Sequence, residues 1–360
     1  MVRVLVAGGG TGGHLFPGVA VAKEISRRFK RAEVLFVTGK RRMESEVLRK
    51  AGFRQTSIAV EGMKGRGLLK GALVAFKLPW SLVESLWIIR GFSPHLVLGV
   101  GGYSAGPVCL AARVMGVPSA IHEQNSFPGV TNRLLCRVVN RVFISFEESR
   151  NHFCGGSIYL TGNPIRAEFV TQEKLPGRNG RSFTVVVVGG SQGARSINEA
   201  FVEALTILNK RNKPCRVIHQ TGELGYQEIA ALYKEKGLEG EVTPFIHDMA
   251  GAYREADLVV SRAGAGAVFE MAAMGKPSLL IPYPFAANRH QETNAQVLVA
   301  AGAAEMILQE NLTGEVLADR IMKCMENRGA LERMGQAAKR VSKPDAAQRI
   351  ADLLLELVQS

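Results

Sequence analysis

The chain has 360 residues, 46% hydrophobic and 21% charged, which exceeds one hydrophobic core and suits two domains of ordinary globular composition. Its 45 Lys and Arg against 32 Asp and Glu leave a formal net charge of +13, which favours anionic partners; no basic block interleaved with aromatics and no zinc-finger spacing points to nucleic acid. Five scattered cysteines without a C-x-x-C pair exclude a disulfide framework or thiolate metal site and fit a reducing cytoplasm, while no apolar run reaches the length of a membrane span and no export signal is expected ahead of the first strand.

In chain order, short runs rich in Val, Ile and Leu alternate with longer segments of helical period. "VRVLVAG" is a strand, followed by the glycine turn "GGGTGGH" and a helix. "EVLFVTG" is the second strand. A long apolar segment, Gly62 to Phe92, precedes the strands "LVLGVGG" and "PSAIHE". The pattern restarts near Thr184, where "TVVVVGG" leads through "GGSQGAR" into another helix, and "CRVIHQ", "DLVVS" and "PSLLIPY" follow. Continuous apolar strands alternating with helices predict parallel sheets covered on both faces. The chain therefore reads as α/β, with two Rossmann-like halves, 1–163 and 164–340, joined near "LTGNPIRAEF". "EKLPGRNGRS" reads as a surface loop ahead of the second half. The last helix, 341–360, sets Ile350, Leu353, Leu354, Leu357 and Val358 on one face and is expected to pack back on the first half.

Two motifs suggest other chemistries. Gly8, Gly10 and Gly13 spell the dinucleotide fingerprint G-x-G-x-x-G, but the second strand ends in Thr38, Gly39 and Lys40 rather than an acidic ribose hook. Lys40, Arg41 and Arg42 suit a 2′-phosphate, so that option stays open. Gly189, Ser191 and Gly193 match the G-x-S-x-G nucleophile elbow, with Asp248 or Asp257 and His290 in hydrolase order. Yet that strand opens a second half rather than lying deep in one sheet. Metal-dependent phosphate chemistry lacks its parts: the five aspartates form no D-x-D pair and no H-E-x-x-H occurs.

Four glycine loops stand at strand ends: "GGGTGGH", "GVGGYSAGP", "GGSQGAR" and "SRAGAGAVFE". Glycine there admits close backbone approach, and a following helix offers free N–H groups with partial positive charge. Two such domains facing each other seat a pyrophosphate without a metal. Glu270, about a turn and a half into the helix begun near Ala265, is placed to meet a ribose. Arg166 in "GNPIR" has a guanidinium suited to phosphate or to a structural ion pair.

With "HEQNSFPGVTN" and "HQETNA" added, these motifs, in this order and nearly end to end, resemble the peptidoglycan N-acetylglucosaminyltransferases that act on lipid I. The resemblance implies a GT-B fold, two Rossmann-like domains facing across a cleft, the first for the acceptor and the second for the nucleotide sugar. It implies inverting transfer of N-acetylglucosamine from its UDP donor to the C4 hydroxyl of the muramyl sugar of polyprenyl-pyrophosphate-linked muramyl peptide, with neither cofactor nor metal. By position, Thr11, Gly12, Gly13 and Asn125 would lie near the transferred sugar. Arg166, Ser191 and Ile246 would meet the nucleotide, with Ile246 at the uracil. Ala265, Gly266, Ala267, Val268, Phe269 and Glu270 would hold diphosphate and ribose, and Gln291 the sugar hydroxyls. Where the family pattern has two glutamines, this chain has His290 and Gln291. A related UDP-sugar epimerase, or a non-catalytic nucleotide-sugar-binding protein, is the alternative.

Inversion by one in-line displacement needs a base for the acceptor hydroxyl. His14 is the candidate, against a role in binding an acceptor phosphate or capping its helix; Glu123 is a rival base or an acceptor-orienting group. The segment from Gly62 to Phe92 carries Trp80 and Trp87 among Leu68, Leu69, Leu73, Phe76, Leu78, Leu82 and Ile88, with Lys64, Arg66, Lys70, Lys77 and Arg90 interspersed. Such a mixture suits peripheral docking on an anionic membrane surface, here the cytoplasmic face.

Overall fold

The computed structural model describes residues 2–10, 12–40, 42–60, 68–155, 157–170, 182–190 and 193–359, with the backbone alone for 42, 43, 68–78 and 359. Most of the expected loop "EKLPGRNGRS" lies outside these residues, as do Thr11, Arg41, Lys64, Arg66 and Ser191. The chain divides into two compact units, Met1–Arg166 with Lys343–Ser360, and Ala167–Ser342.

In the first unit, strands β1 (Val2–Ala7), β2 (Ala32–Thr38), β3 (Arg54–Ser57), β4 (Leu96–Gly99), β5 (Ser119–Glu123), β6 (Arg141–Ile144) and β7 (Ser157–Leu160) alternate with helices α1 (Gly12–Arg28), α2 (Arg42–Ala51), α3 (Leu68–Phe92), α4 (Ala105–Val114) and α5 (Val130–Leu135). The second unit runs β8 (Thr184–Val188), α6 (Arg195–Lys210), β9 (Arg216–Gln220), α7 (Tyr226–Glu235), β10 (Glu241–Thr243), α8 (Met249–Glu255), β11 (Leu258–Ser261), α9 (Ala265–Ala273), β12 (Ser278–Leu280), α10 (His290–Ala300), β13 (Ala304–Met306), α11 (Gly314–Glu326) and α12 (Arg328–Val341). Helix α13 (Ala346–Gln359) belongs to the first unit.

Both sheets are wholly parallel, in the orders β3-β2-β1-β4-β5-β6-β7 and β10-β9-β8-β11-β12-β13. This is the α/β class with two Rossmann-like halves expected from the sequence. Because side chains alternate along a strand, each central strand feeds two cores. Val4 and Val6 face Leu15, Val19 and Ile25 of α1 and Ile350 and Leu354 of α13. Leu5 and Ala7 face Val108 and Cys109 of α4 and Ile89 of α3. Helix α13 is tied further by the Arg28–Asp352 ion pair and by Arg141 Nη1 to Glu356 at 2.8 Å. In the second unit Val185 and Val187 pack on Ile197, Phe201 and Leu205 of α6 and on Leu317 and Ile321 of α11.

Five strands lack a counterpart in the sequence reading: β3, β6, β7, β10 and β13. Four of them are sheet edges, where one side faces solvent and the apolar run is interrupted; β3 reads "RQTS" and β10 "EVT". Among the described residues no helix is long and apolar enough to cross a membrane.

Each unit holds a buried histidine. His219 lies between Tyr233 Oη (3.1 Å from Nδ1) and Asn198 Oδ1 (3.1 Å from Nε2), and burial pushes its pKa down to about 3. Burial likewise pushes His122 from 6.5 to about 4. Both rings are neutral in the folded chain, whereas the unfolded chain takes up protons near 6.5. Their contribution to stability is therefore complete above pH 6.5 and lost as pH falls toward 4. The loss is about 1.4 kcal/mol per pH unit for each ring. Urea midpoints should thus drop steeply between pH 6.5 and pH 5; a flat profile there would contradict neutral burial.

Candidate active site

In each sheet the strand order reverses beside the unit's first strand, between β1 and β4 and between β8 and β11. Ligands of open parallel sheets sit beyond the carboxyl ends of strands at such points. All four glycine loops fall there. In the first unit the turns after β1 and β4 press backbone on backbone. A Cβ on Gly8 would lie 2.3 Å from Val100 Cγ2, and one on Gly102, whose φ is +80°, 2.2 Å from the carbonyl oxygen of Gly9. No side chain fits at either position.

The β1 turn is also held by a carboxylate. Glu44, in the first turn of α2, is 1% exposed and accepts the N–H of Gly10 at 2.5 Å. Its second oxygen has no hydrogen-bond partner among the described residues. A side-chain carboxyl group seated on this turn takes an N–H that a dinucleotide pyrophosphate would use. The buried end of β2 offers Thr38, whose hydroxyl is spent on the Gly39 carbonyl at 3.0 Å, so the dinucleotide option loses its support.

His14 stands in the first turn of α1, next to Gly12 and Gly13. Its ring rests on Gly101, where an added Cβ would be 2.7 Å from Nδ1. Nδ1 lies 2.9 Å from Oε1 of Gln124. Gln124 is 2% exposed; its nitrogen is 2.9 Å from the Val100 carbonyl oxygen and 3.0 Å from His122 Nδ1.

Glu123, one residue before, points elsewhere. Oε1 accepts from Asn125 N (3.0 Å) and Asn125 Nδ2 (3.3 Å), and Oε2 from Gly129 N (3.1 Å) and Asn132 Nδ2 (2.9 Å). With four N–H groups on a buried carboxylate, Glu123 holds the loop that carries Asn125. Arg166 lies over the ring of Phe16, 5.6 Å from its centroid.

In the second unit, the turn after β8 packs Gly193 (φ +79°) so that a Cβ would fall 2.2 Å from the Thr221 carbonyl oxygen. Gln220 joins this turn to the next loop, donating to the Gly190 carbonyl at 3.1 Å and accepting the Ile246 N–H at 3.0 Å. What Ile246 offers a ligand is thus not its amide. After β11, α9 begins at Gly264 with no side-chain cap. A Cβ on Gly264 or Gly266 would meet nothing within 4 Å. The helix presents room and N–H groups together, the arrangement that binds phosphate. Gly266, Ala267 and Glu270 share its partly exposed face, whereas Ala265, Val268 and Phe269 are buried; these last three can reach a ligand only through their backbone.

Gln291 in the first turn of α10 accepts the Tyr283 N–H at 3.0 Å, and His290 Nδ1 donates to the Ala287 carbonyl at 2.8 Å. The preceding Asn288 and Arg289 have φ of +52° and +51°, a strained pair of the kind concentrated at ligand-binding loops. Arg262 fixes that loop from below through the carbonyls of Ile281 (3.1 Å) and Pro282 (3.2 Å) and Gln309 Oε1 (2.7 Å). Burial lowers its pKa to about 10. Glu44, Gln124, Gln220 and Arg262 went unread in the sequence because their partners are mostly backbone groups far along the chain.

Residues 4–144 match the glycosyltransferase family 28 N-terminal domain and residues 184–350 the family 28 C-terminal domain. A protein of Syntrophus aciditrophicus, named UDP-N-acetylglucosamine--N-acetylmuramyl-(pentapeptide) pyrophosphoryl-undecaprenol N-acetylglucosamine transferase, is 47% identical over 99% of both chains. The protein of that name from Myxococcus xanthus is 44% identical over 99% of this chain and 94% of its own. Among solved structures, Acinetobacter baumannii MurG matches with a TM-score of 0.79 at 33% identity, covering 99% of this chain and all of the other. A UDP-GlcNAc 2-epimerase from Neisseria meningitidis has a TM-score of 0.71 at 14% identity and shares the fold alone.

The contact geometry separates glycines by consequence. Gly102→Ala combines positive φ with a backbone clash and should cost about 3 kcal/mol, whereas Gly264→Ala, in open space at φ −68°, should cost under about 1 kcal/mol. Urea unfolding of the two variants checks the difference.

Proposed function

The chain belongs to glycosyltransferase family 28, and from that premise we propose that it moves N-acetylglucosamine from its UDP donor to the C4 hydroxyl of the muramyl sugar of lipid I, forming the lipid II precursor of peptidoglycan. One observation carries this reading: identity of 42–47% to transferases of that name extends over nearly the whole chain and so over both units.

The chemistry assigned to the residues is a single displacement that inverts the anomeric carbon. His14 takes the proton of the acceptor hydroxyl. The hydroxyl oxygen bonds to C1 as the bond from C1 to the β-phosphate oxygen breaks, and its electron pair leaves with UDP. The open N-terminus of α9 receives the diphosphate, where its partial positive charge stabilises the charge that grows on the leaving group. Glu270 accepts from the ribose hydroxyls and Ile246 lies against uracil. The family resemblance assigns Thr11, Gly12, Gly13 and Asn125 to the transferred sugar, Gln291 to sugar hydroxyls, and Arg166 and Ser191 to the nucleotide. Glu123 acts through the loop it holds. The step uses no cofactor and no cation.

A polyprenyl acceptor is confined to the bilayer, so the enzyme must meet it there. Trp80, Val83 and Trp87 lie along one side of α3, with Trp80 62% and Trp87 73% exposed. Helix α4, packed against α3 and α5, adds exposed Leu110 and Val114, and α5 adds Val130 and Leu134. Arg90 and Arg113, both exposed, supply cations beside them. Apolar and aromatic anchors with nearby basic groups support peripheral docking on anionic lipid at the cytoplasmic face.

With labelled UDP-N-acetylglucosamine and a lipid I analogue, label should pass to the lipid and persist in chelator. Isomerised free donor would indicate an epimerase instead, and binding without turnover a non-catalytic protein. For the membrane reading, Trp80→Ser with Trp87→Ser should lower affinity for phosphatidylglycerol vesicles at least about tenfold without moving the unfolding midpoint. Wild-type protein that fails to sediment with such vesicles at low salt would defeat it.

A further inference from the structure

We propose that Gln124 is a positioning residue for the transfer reaction: its side-chain amide fixes the proton of the His14 ring on Nδ1 and leaves the lone pair on Nε2. The inference rests on the reading of His14 as the base and adds which nitrogen acts and what holds it so.

The direction of every link follows from its neighbour. The Val100 carbonyl can only accept, and it lies 2.9 Å from one end of the Gln124 amide; that end is the nitrogen. The amide oxygen therefore faces His14 Nδ1 at 2.9 Å, and an oxygen without a proton requires a donor opposite it. Gln124 has a second N–H, directed at His122 Nδ1 at 3.0 Å. That ring nitrogen must accept, so the His122 proton sits on Nε2, which lies 3.2 Å from both the Gly162 carbonyl oxygen and Ser145 Oγ. Ser145 spends its own proton on the Glu123 carbonyl at 2.9 Å. Rotating the amide by half a turn would put oxygen against the Val100 oxygen and nitrogen against whichever ring proton remained.

Two further features keep the arrangement in force. Burial drives the His122 pKa down to about 4, so its Nδ1 stays an acceptor across the neutral range. The His14 ring also rests on Gly101, which leaves it no second seat on that side. Among the described residues, titratable groups stand near His14 on β5 with its loop and beside α1. From β5 and its loop come His122, reached through Gln124, and Glu123, whose carboxylate is turned into its own loop. From the β4 turn comes the Gly101 backbone, and on α1 itself Phe16 carries Arg166 over its ring. A neutral amide thus sets the tautomer without stabilising the imidazolium, which suits a base that must start each cycle deprotonated.

The test begins with the intact wild-type protein. Long-range 15N–1H correlation of the histidine rings should show the proton on Nδ1 for His14 and on Nε2 for His122; a His14 proton on Nε2 overturns the proposal whatever any variant does. Kinetics follow. Gln124→Leu should lower kcat about 100-fold with the KM for UDP-N-acetylglucosamine within about twofold. Gln124→Glu, which keeps an acceptor toward Nδ1, should recover part of that loss and move the acid limb of kcat/KM upward by about one pH unit, because a carboxylate favours the imidazolium. If His14→Ala is inactive but Gln124→Leu keeps normal kcat and pH profile, the positioning role is wrong. If His14→Ala keeps its turnover, the base reading itself has failed.

Discussion

The structure depends on backbone meeting backbone at the carboxyl ends of its parallel strands. Where β1 and β4 diverge, Gly102 leaves no room for a Cβ against Gly9, nor Gly8 against the Gly101 carbonyl oxygen; where β8 turns, Gly193 does the same against Thr221. Such contacts bring polar main-chain groups to a strand end at a density side chains would prevent. Everything nearby is placed by them. The ring of His14 has its seat because Gly101 is bare, and the Val100 carbonyl that orients Gln124 is held by the same turn.

Glycine-rich sequence alone does not say what such a turn will bind; charge does. The turns look alike in composition and are opposite in electrostatics. The first has its Gly10 N–H already joined to Glu44, a buried carboxyl group from α2. The fourth opens α9 with no side-chain cap and open space at Gly264 and Gly266, so its polarity is left for a ligand. The two turns thus differ in what they leave open: the β1 turn has one of its N–H groups taken by a side chain, and the α9 turn has room beside its N–H groups.

This difference marks where the sequence was legible. The two halves could be read because central parallel strands are buried on both faces and so are continuous in Val, Ile and Leu; β3, β7, β10 and β13 could not, because an edge strand carries only half that signal. His14, Glu270 and the glycine turns stood out by residue type. Gln124 sat unread inside "HEQN", between a glutamate and an asparagine that drew attention. Two of its three partners lie 24 and 110 residues away, and an amide advertises no chemistry. Glu123 shows the converse: a carboxylate beside a histidine suggests acid–base work, yet its four N–H partners make it a loop anchor. Val268 and Phe269 share a run with Gly266 and Glu270, but helical geometry sends them into the core.

The choice of an amide rather than a carboxylate beside His14 has a thermodynamic logic. A buried carboxylate at position 124 would repel the Val100 carbonyl and leave His122 Nδ1 without a donor, costing about 1–3 kcal/mol for each unsatisfied buried group. It would also place a charge beside the ring that favours the imidazolium, where the amide places none. A hydroxyl would meet one partner and leave the others. Glutamine alone among short polar side chains offers one acceptor and two donors on a planar group long enough to reach three sites at once: His14, Val100 and His122. The cost is rigidity, since no member can turn without unpairing another. A ring that bears on the Gln124 oxygen, as that of His14 does, is thereby held in one orientation before any ligand arrives.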